Sequence, residues 1–79
     1  MKKNNHQKTF AIVGLGYVGL PLAIEFAKKG IAVIGFDINS KRVAELKKFR
    51  DFRREYTTRE LKAVNIFYTN KGSELRRAE

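Results

Sequence analysis

The sequence predicts a doubly wound α/β half-domain, a three-stranded parallel sheet with flanking helices over residues 9–79. Three observations carry this. Two short apolar runs stop at turn residues, Thr9 to Val13 before Gly14 and Ile31 to Asp37 before Asn39. A helical apolar repeat ending at Gly30 lies between them, so strand, helix and strand form a βαβ crossover. A third run rich in β-branched and aromatic residues, Asn65 to Thr69, follows a second helical segment.

Taken in order, Met1 to Lys8 is a polar basic tail, and Thr9 to Val13 reads as a buried strand ended by glycine. A helix is expected from Val18 to Lys29. Val18, Leu22 and Phe26 repeat at four-residue spacing as its inward face, with Ala23 and Ala27 widening that face. Pro21 is tolerable in the first turn, and Gly30 is a good stop. The nearly continuous apolar run Ile31 to Asp37 suits a strand covered on both faces. Asn39 or Ser40 caps a second helix that turns Val43, Leu46 and Phe49 inward. From Phe49 to Tyr56 no periodicity holds, which predicts a helix end and a loop. Thr57-Thr58-Arg59-Glu60 is a capping box for a short helix to Ala63. After the third strand, Ser73 caps a final turn from Glu74 to Ala78.

A chain of 79 residues builds one small domain with a thin core; such a chain buries only about 60% of its unfolded surface. Hydrophobic residues at 43% and charged residues at 32% are globular composition. Zero cysteines exclude disulfides, thiolate metal sites and a thiol nucleophile within these residues. His6, the single histidine, reads as a solvated bystander in the tail. The stretch from Phe10 to Ile24 carries no charge, but glycines and Pro21 interrupt it; it is shorter than the ~18 apolar residues of a membrane span. The expectation is a cytoplasmic chain with no membrane partner. The formal charge of +9 is spread along helix faces rather than gathered in a block.

The chemistry lies in Gly14-Leu15-Gly16-Tyr17-Val18-Gly19, placed between a strand and a helix, with Asp37 eighteen positions past the last glycine at the end of the second strand. In this context the pattern is a dinucleotide-binding fingerprint. The first glycine permits the turn, the second lets a pyrophosphate approach the backbone, and the third lets the helix pack close to the sheet. N–H groups near Tyr17 and Val18, at the positive end of the helix dipole, face the phosphates. Asp37 is expected to accept from the adenosine ribose hydroxyls and to repel a 2′-phosphate, favouring NAD over NADP. Arg42 lines the ribose or adenine edge, or else pairs with Glu45 as a helix charge.

Gly14-Leu-Gly-Tyr-Val-Gly-Leu-Pro-Leu-Ala23, Glu25 to Gly30, and Gly35-Phe36-Asp37-Ile38-Asn39 with Arg42-Val43 closely resemble the N-terminus of the UDP-glucose/GDP-mannose dehydrogenases. The Leu-Pro-Leu-Ala extension is most similar to the branch acting on UDP-N-acetylhexosamines in polysaccharide synthesis. The resemblance implies a Rossmann-like NAD-binding segment in which Gly14 to Gly19 embrace the pyrophosphate while Asp37 and Arg42 hold the adenosine end. It implies an enzyme that oxidises a nucleotide-sugar alcohol to a carboxylate in two hydride transfers, through a thiohemiacetal on a cysteine. That cysteine is absent here, and so no catalytic residue is assigned and the chain alone is expected to be inactive. Lys47 to Arg54 departs from the family in its charge. Leu75 to Glu79 matches the segment before a fourth strand, which implies a truncated domain able to self-associate through its sheet edge.

A second class of function remains at this point, a small basic nucleic-acid-binding module. It would use Arg50, Arg53, Arg54 and Arg59 with Phe49, Phe52 and Tyr56 as a stacking and phosphate-binding surface.

Overall fold

The computed structural model describes residues 9–77; the basic tail and Ala78 lie outside them. β1 (Thr9–Val13), β2 (Ala32–Phe36) and β3 (Ile66–Thr69) form one parallel sheet in the order β1-β2-β3. Thr9 stands beside Ala32 and Val13 beside Phe36, while Val33 stands beside Ile66 and Phe36 beside Thr69. α1 (Gly19–Lys28) connects β1 to β2, and α2 (Ser40–Lys47) and α3 (Thr58–Lys62) connect β2 to β3. The expected order of elements and the parallel, Rossmann-like arrangement are both present.

Because each strand neighbours the next in sequence, right-handed crossovers put the helices on one face of the sheet. Leu20 and Ile24 of α1, Val43 and Leu46 of α2, and Leu61 of α3 meet Leu15 and Tyr68 there in a single buried cluster. Phe10, in register with Val33 and Ile66, packs edge-on against Phe26 of α1 at 5.3 Å between ring centroids. Ala11, Ile34 and Phe67 therefore face the opposite side. No described α-helix covers that side, yet Val33 and Ile34, which point to opposite faces, are both buried, so β2 is covered on both faces as expected.

The helix face of α1 differs from the expected one. Leu20, Ala23 and Ile24 are buried, whereas Val18 and Leu22 are exposed and Phe26 is half-buried. The segment G-L-P-L-A-I-E-F-A-K is apolar on most sides, so its period is legible while its phase is set by contact with the sheet. α2 begins as expected at Asn39, whose side chain accepts from the Lys41 and Arg42 N–H groups at 3.0 and 3.3 Å. Val43 and Leu46 point inward; Phe49 also packs against the core, but from beyond the helix, at a backbone φ of +59°.

The capping box of α3 is complete. Thr57 Oγ1 accepts from the Glu60 N–H at 3.1 Å, and the Glu60 carboxylate accepts from the Thr57 N–H at 2.8 Å. The last turn is corrected: it is a 3-10 helix, Gly72–Arg77, that contains Ser73 rather than starting from it as a cap. Thr69 anchors it, accepting from the Lys71 N–H at 3.0 Å and donating to Glu74.

Candidate functional site

The turn between β1 and α1 uses its three glycines for different reasons. Gly14 has φ +92°, a left-handed conformation that a side chain would strain, and its N–H donates to the Phe36 carbonyl at 2.8 Å. A Cβ on Gly19 would overlap the Gly14 carbonyl oxygen and stand 2.8 Å from its carbon, so this position needs glycine for close packing. Gly16 is different. A Cβ there would meet only the tip of Arg53, at 3.9 Å, and its φ is not in the left-handed range. The chain's own packing leaves the Gly16 face open.

Behind this open face stands the start of α1. Val18 supplies no side-chain cap and no acidic residue occupies the first turn. Among the described residues the N–H groups of Gly16, Tyr17 and Val18 find no acceptor within the fold. α2 and α3 each have a side chain that accepts from N–H groups at their start, whereas α1 has neither a side-chain cap nor an acid there and presents its free donors and positive dipole end at the open Gly16 face.

Asp37, half-buried at the end of β2, reaches back to this turn. Its Oδ2 accepts from the Leu15 N–H at 2.8 Å and its Oδ1 from the Asn39 N–H at 2.9 Å. Each oxygen keeps a lone pair for a further donor. Arg42, on α2, is buried beneath the same turn: its Nε donates to the Leu15 carbonyl at 2.8 Å, and its Nη1 donates to Glu45 at 2.9 Å and Asp51 at 2.8 Å. Burial works against the Arg42 charge, but its hydrogen bonds to the Asp51 and Glu45 carboxylates outweigh it and hold its pKa above the ordinary value. For Asp51, burial pushes upward, while the bond from Arg42 and the backbone N–H groups of Arg53 and Glu55 prevail and leave it depressed. Arg42 Nη2 is buried without a partner.

Asp51 organises the irregular segment between α2 and α3. Besides Arg42 it accepts from the N–H groups of Arg53, Glu55 and Tyr56 at 3.0–3.1 Å. The Arg54 N–H closes the turn onto the Asp51 carbonyl at 2.8 Å, with Arg54 at φ +60°. The segment thereby returns to the glycine turn, where the Arg53 guanidinium lies 3.4 Å above the centre of the Tyr17 ring. Between it and Asp37 opens a cleft of about 360 Å³ lined by Gly16, Asp37, Lys41, Arg42, Phe52 and Arg53, among others.

This arrangement disperses the arginine and aromatic string that the nucleic-acid reading required. Phe49 and Tyr56 pack against the core and Arg53 lies over Tyr17 at the glycine turn, so only Phe52 of the three aromatics remains exposed. Among the described residues no group of acidic or histidine side chains is placed to hold a metal ion. No helix among them is long and apolar enough to cross a membrane.

Residues 8–70 match the sequence model of the UDP-glucose/GDP-mannose dehydrogenase family, NAD binding domain. The chain belongs to this family. It is 49% identical over 72 residues to protein CapL of Staphylococcus aureus, covering 91% of this chain and 17% of CapL. It is 60% identical over 55 residues to a UDP-N-acetyl-D-glucosamine 6-dehydrogenase of Pseudomonas aeruginosa, covering 70% of this chain and 13% of that enzyme. Among solved structures, a UDP-D-ManNAc dehydrogenase from Pyrococcus horikoshii superposes with a TM-score of 0.73 at 33% identity, covering 85% of this chain and 17% of that one. The chain thus spans less than a fifth of the length of each of these relatives.

NAD is the cofactor of this dehydrogenase family domain, and the residues present fit it. Gly16 leaves a cradle that a Cβ would narrow, the turn offers free N–H donors, and Asp37 offers an acceptor at the cleft. All eight expected site residues, Gly14 to Gly19 with Asp37 and Arg42, converge on this one turn. The pairing of Arg42 with Glu45, the alternative expected for Arg42, is present as an i,i+3 contact. Asp51 and Arg53 were not expected there, and nothing local marks them, because their partners lie across the tertiary fold.

Proposed function

We propose that this chain is the N-terminal NAD-binding segment of a nucleotide-sugar 6-dehydrogenase of the UDP-N-acetylhexosamine or UDP-glucose type, and that it holds the ADP half of the cofactor. The pyrophosphate lies against the N–H groups of Gly16, Tyr17 and Val18, the adenosine ribose bonds to Asp37, and Leu15 with Gly14 and Gly19 gives the turn its shape. Arg42 serves the adenosine end from beneath, by holding Leu15 and the wall of the cleft. When bound, NAD supplies the hydride acceptor for alcohol oxidation; this chain's residues bind and orient it.

The observation that carries the reading is Gly16, the one glycine of the three that neither backbone conformation nor internal packing explains. A carboxylate at Asp37 further favours a free 2′-hydroxyl over a 2′-phosphate. With no cysteine in its 79 residues, the chain supplies cofactor binding and no thiohemiacetal chemistry, and is inactive alone. The reading places it in the cytoplasm, in the supply of precursors for polysaccharide synthesis, with a nucleotide sugar bound only by residues beyond this segment.

Heteronuclear NMR titration of the purified chain with NAD, AMP and a short oligonucleotide tests the proposal. NAD and AMP are expected to shift Gly14 to Gly19 and Asp37, with NADP much weaker. Shifts produced by the oligonucleotide alone, centred on residues 49–59, would sink it.

A further inference from the structure

We propose that Arg53, on the segment between α2 and α3, is a phosphate-binding residue of the cofactor cleft. Its guanidinium, stacked on Tyr17, pairs with the pyrophosphate of an adenine dinucleotide as it lies over Gly16. The inference rests on the NAD reading above and adds to it a residue outside the glycine turn and the β2 acid.

Position is the first ground. The Arg53 Nη1 is the one atom within 4 Å of where a Gly16 Cβ would stand. That open face is the place at which a diphosphate approaches the backbone. The guanidinium also keeps its donors while it is held. Stacking at 3.4 Å over Tyr17 uses the face of the planar group, whereas its N–H bonds project from the edge, the geometry that engages two phosphate oxygens at once.

Charge is the second ground. The cleft carries the carboxylates of Asp37 and Glu45 alongside Lys41, Arg42 and Arg53. Arg42 is spent on Glu45, Asp51 and the Leu15 carbonyl. Among the described residues Arg53 forms no ion pair, so its charge is uncommitted at the mouth of a site whose ligand is anionic. Free N–H donors and a helix dipole equivalent to about half a charge leave most of a diphosphate's charge unmatched; a nearby guanidinium supplies the remainder by charge-assisted bonds.

Preorganisation is the third. A solvent-facing arginine on a loose loop would be a weak ligand, since ordering it costs entropy. Here the Arg53 N–H is fixed to Asp51 at 3.1 Å, and Asp51 is fixed to Arg42, which holds the glycine turn through Leu15. The loop and the turn are therefore one frame, and Arg53 is delivered to Gly16 before any ligand arrives.

The test is titration of the 79-residue chain, as wild type, Arg53→Ala and Arg53→Lys, with NAD, ADP and adenosine at low and moderate salt. Every Arg53 variant retains the backbone N–H that serves Asp51, and a thermal melt of each confirms that the fold persists. Arg53→Ala is expected to weaken ADP and NAD about tenfold while leaving adenosine within about twofold, since the lost contact is a charge-assisted bond to phosphate. Arg53→Lys should recover part of that loss, and the deficit should shrink with salt. Unchanged ADP affinity in Arg53→Ala overturns the inference, as does an equal loss for adenosine, which would make Arg53 a base-stacking or purely structural residue. Failure of the wild type to bind NAD or ADP overturns the NAD reading itself, and this inference with it.

Discussion

Replacing the glycines of the turn one at a time separates what the fold needs from what the ligand needs. A methyl on Gly19 overlaps the Gly14 carbonyl oxygen and sits 2.8 Å from its carbon, with Ile12 Cγ2 at 3.4 Å behind it. Carbon atoms pack at about 3.5–4.0 Å and the overlap with the carbonyl oxygen is tighter still, so β1's end and the start of α1 must part by more than about an ångström. Overpacking of this kind costs about 1–3 kcal/mol or more. A domain of this length holds roughly 4–12 kcal/mol in total, and each kilocalorie is worth about 4–8 °C in Tm. Gly19→Ala is therefore expected to lower Tm by about 10–20 °C. Gly16→Ala meets only the Arg53 tip at 3.9 Å and narrows the unfolded ensemble, so its stability should lie within about 1 kcal/mol of the parent. Its NAD affinity should nevertheless fall at least about tenfold, because the methyl occupies the diphosphate's approach. Circular dichroism melts and calorimetric titration read the two effects. Equal destabilisation by both substitutions, or a Gly16→Ala chain that keeps its NAD affinity, would refute the assignment of the open face to the ligand.

Three further outcomes are expected. Asp37→Ala should lose about tenfold or more in NAD affinity by calorimetry, since a carboxylate accepting from ribose hydroxyls makes charged hydrogen bonds; an unchanged constant would contradict its role. Asp51→Ala leaves the buried Arg42 with one carboxylate and three backbone N–H groups without an acceptor; urea unfolding should show a loss of about 3–5 kcal/mol. The depressed pKa of Asp51 also sets a pH signature: its stabilisation is complete above the unfolded carboxylate value of about 3.9 and disappears as pH falls through the lower folded value, so the acid limb of the stability curve should flatten in Asp51→Ala. Finally, Val13 is 68% exposed and β1 pairs with β2 on one side, with no described strand on the other. Such an edge is expected to self-associate at high concentration, and Val13→Lys should reduce it; a monomeric sedimentation profile for the parent would exclude this.

What the sequence made legible was whatever is enforced locally. The glycine turn, the Asn39 cap and the Thr57–Glu60 box each depend on residues within a few positions of one another, and each was found where expected. The strands were bounded by turn residues and misjudged only by a position or so. The phase of α1 was not legible, since two apolar stripes were available and only docking on the sheet selects Leu20, Ala23 and Ile24. Nor was the burial of Asp51, one charge in a run of charges, whose partner Arg42 lies nine positions away on another element. Arg53 and Tyr17 are thirty-six positions apart by their numbers, and no spacing rule relates a loop arginine to a glycine turn.

The peptide of Leu15 is where stability and binding become the same problem. Its N–H is held by Asp37 and its carbonyl by Arg42, so the two residues that the sequence marks as adenosine ligands also clamp the turn from above and below. In the proposed reading a ribose would meet an Asp37 already oriented, with its remaining lone pairs fixed in direction rather than searching. The same geometry implies that a ligand at Asp37 and the turn tightens contacts on which the small core depends, because Leu15 is itself fully buried among Leu20, Leu46 and Tyr68. Binding to the native state alone adds RT ln(1 + [L]/Kd), about 2.7 kcal/mol at a hundredfold excess over Kd. For a domain with so thin a core that is a substantial fraction of its stability, which makes NAD as much a folding partner of this segment as a passenger in it.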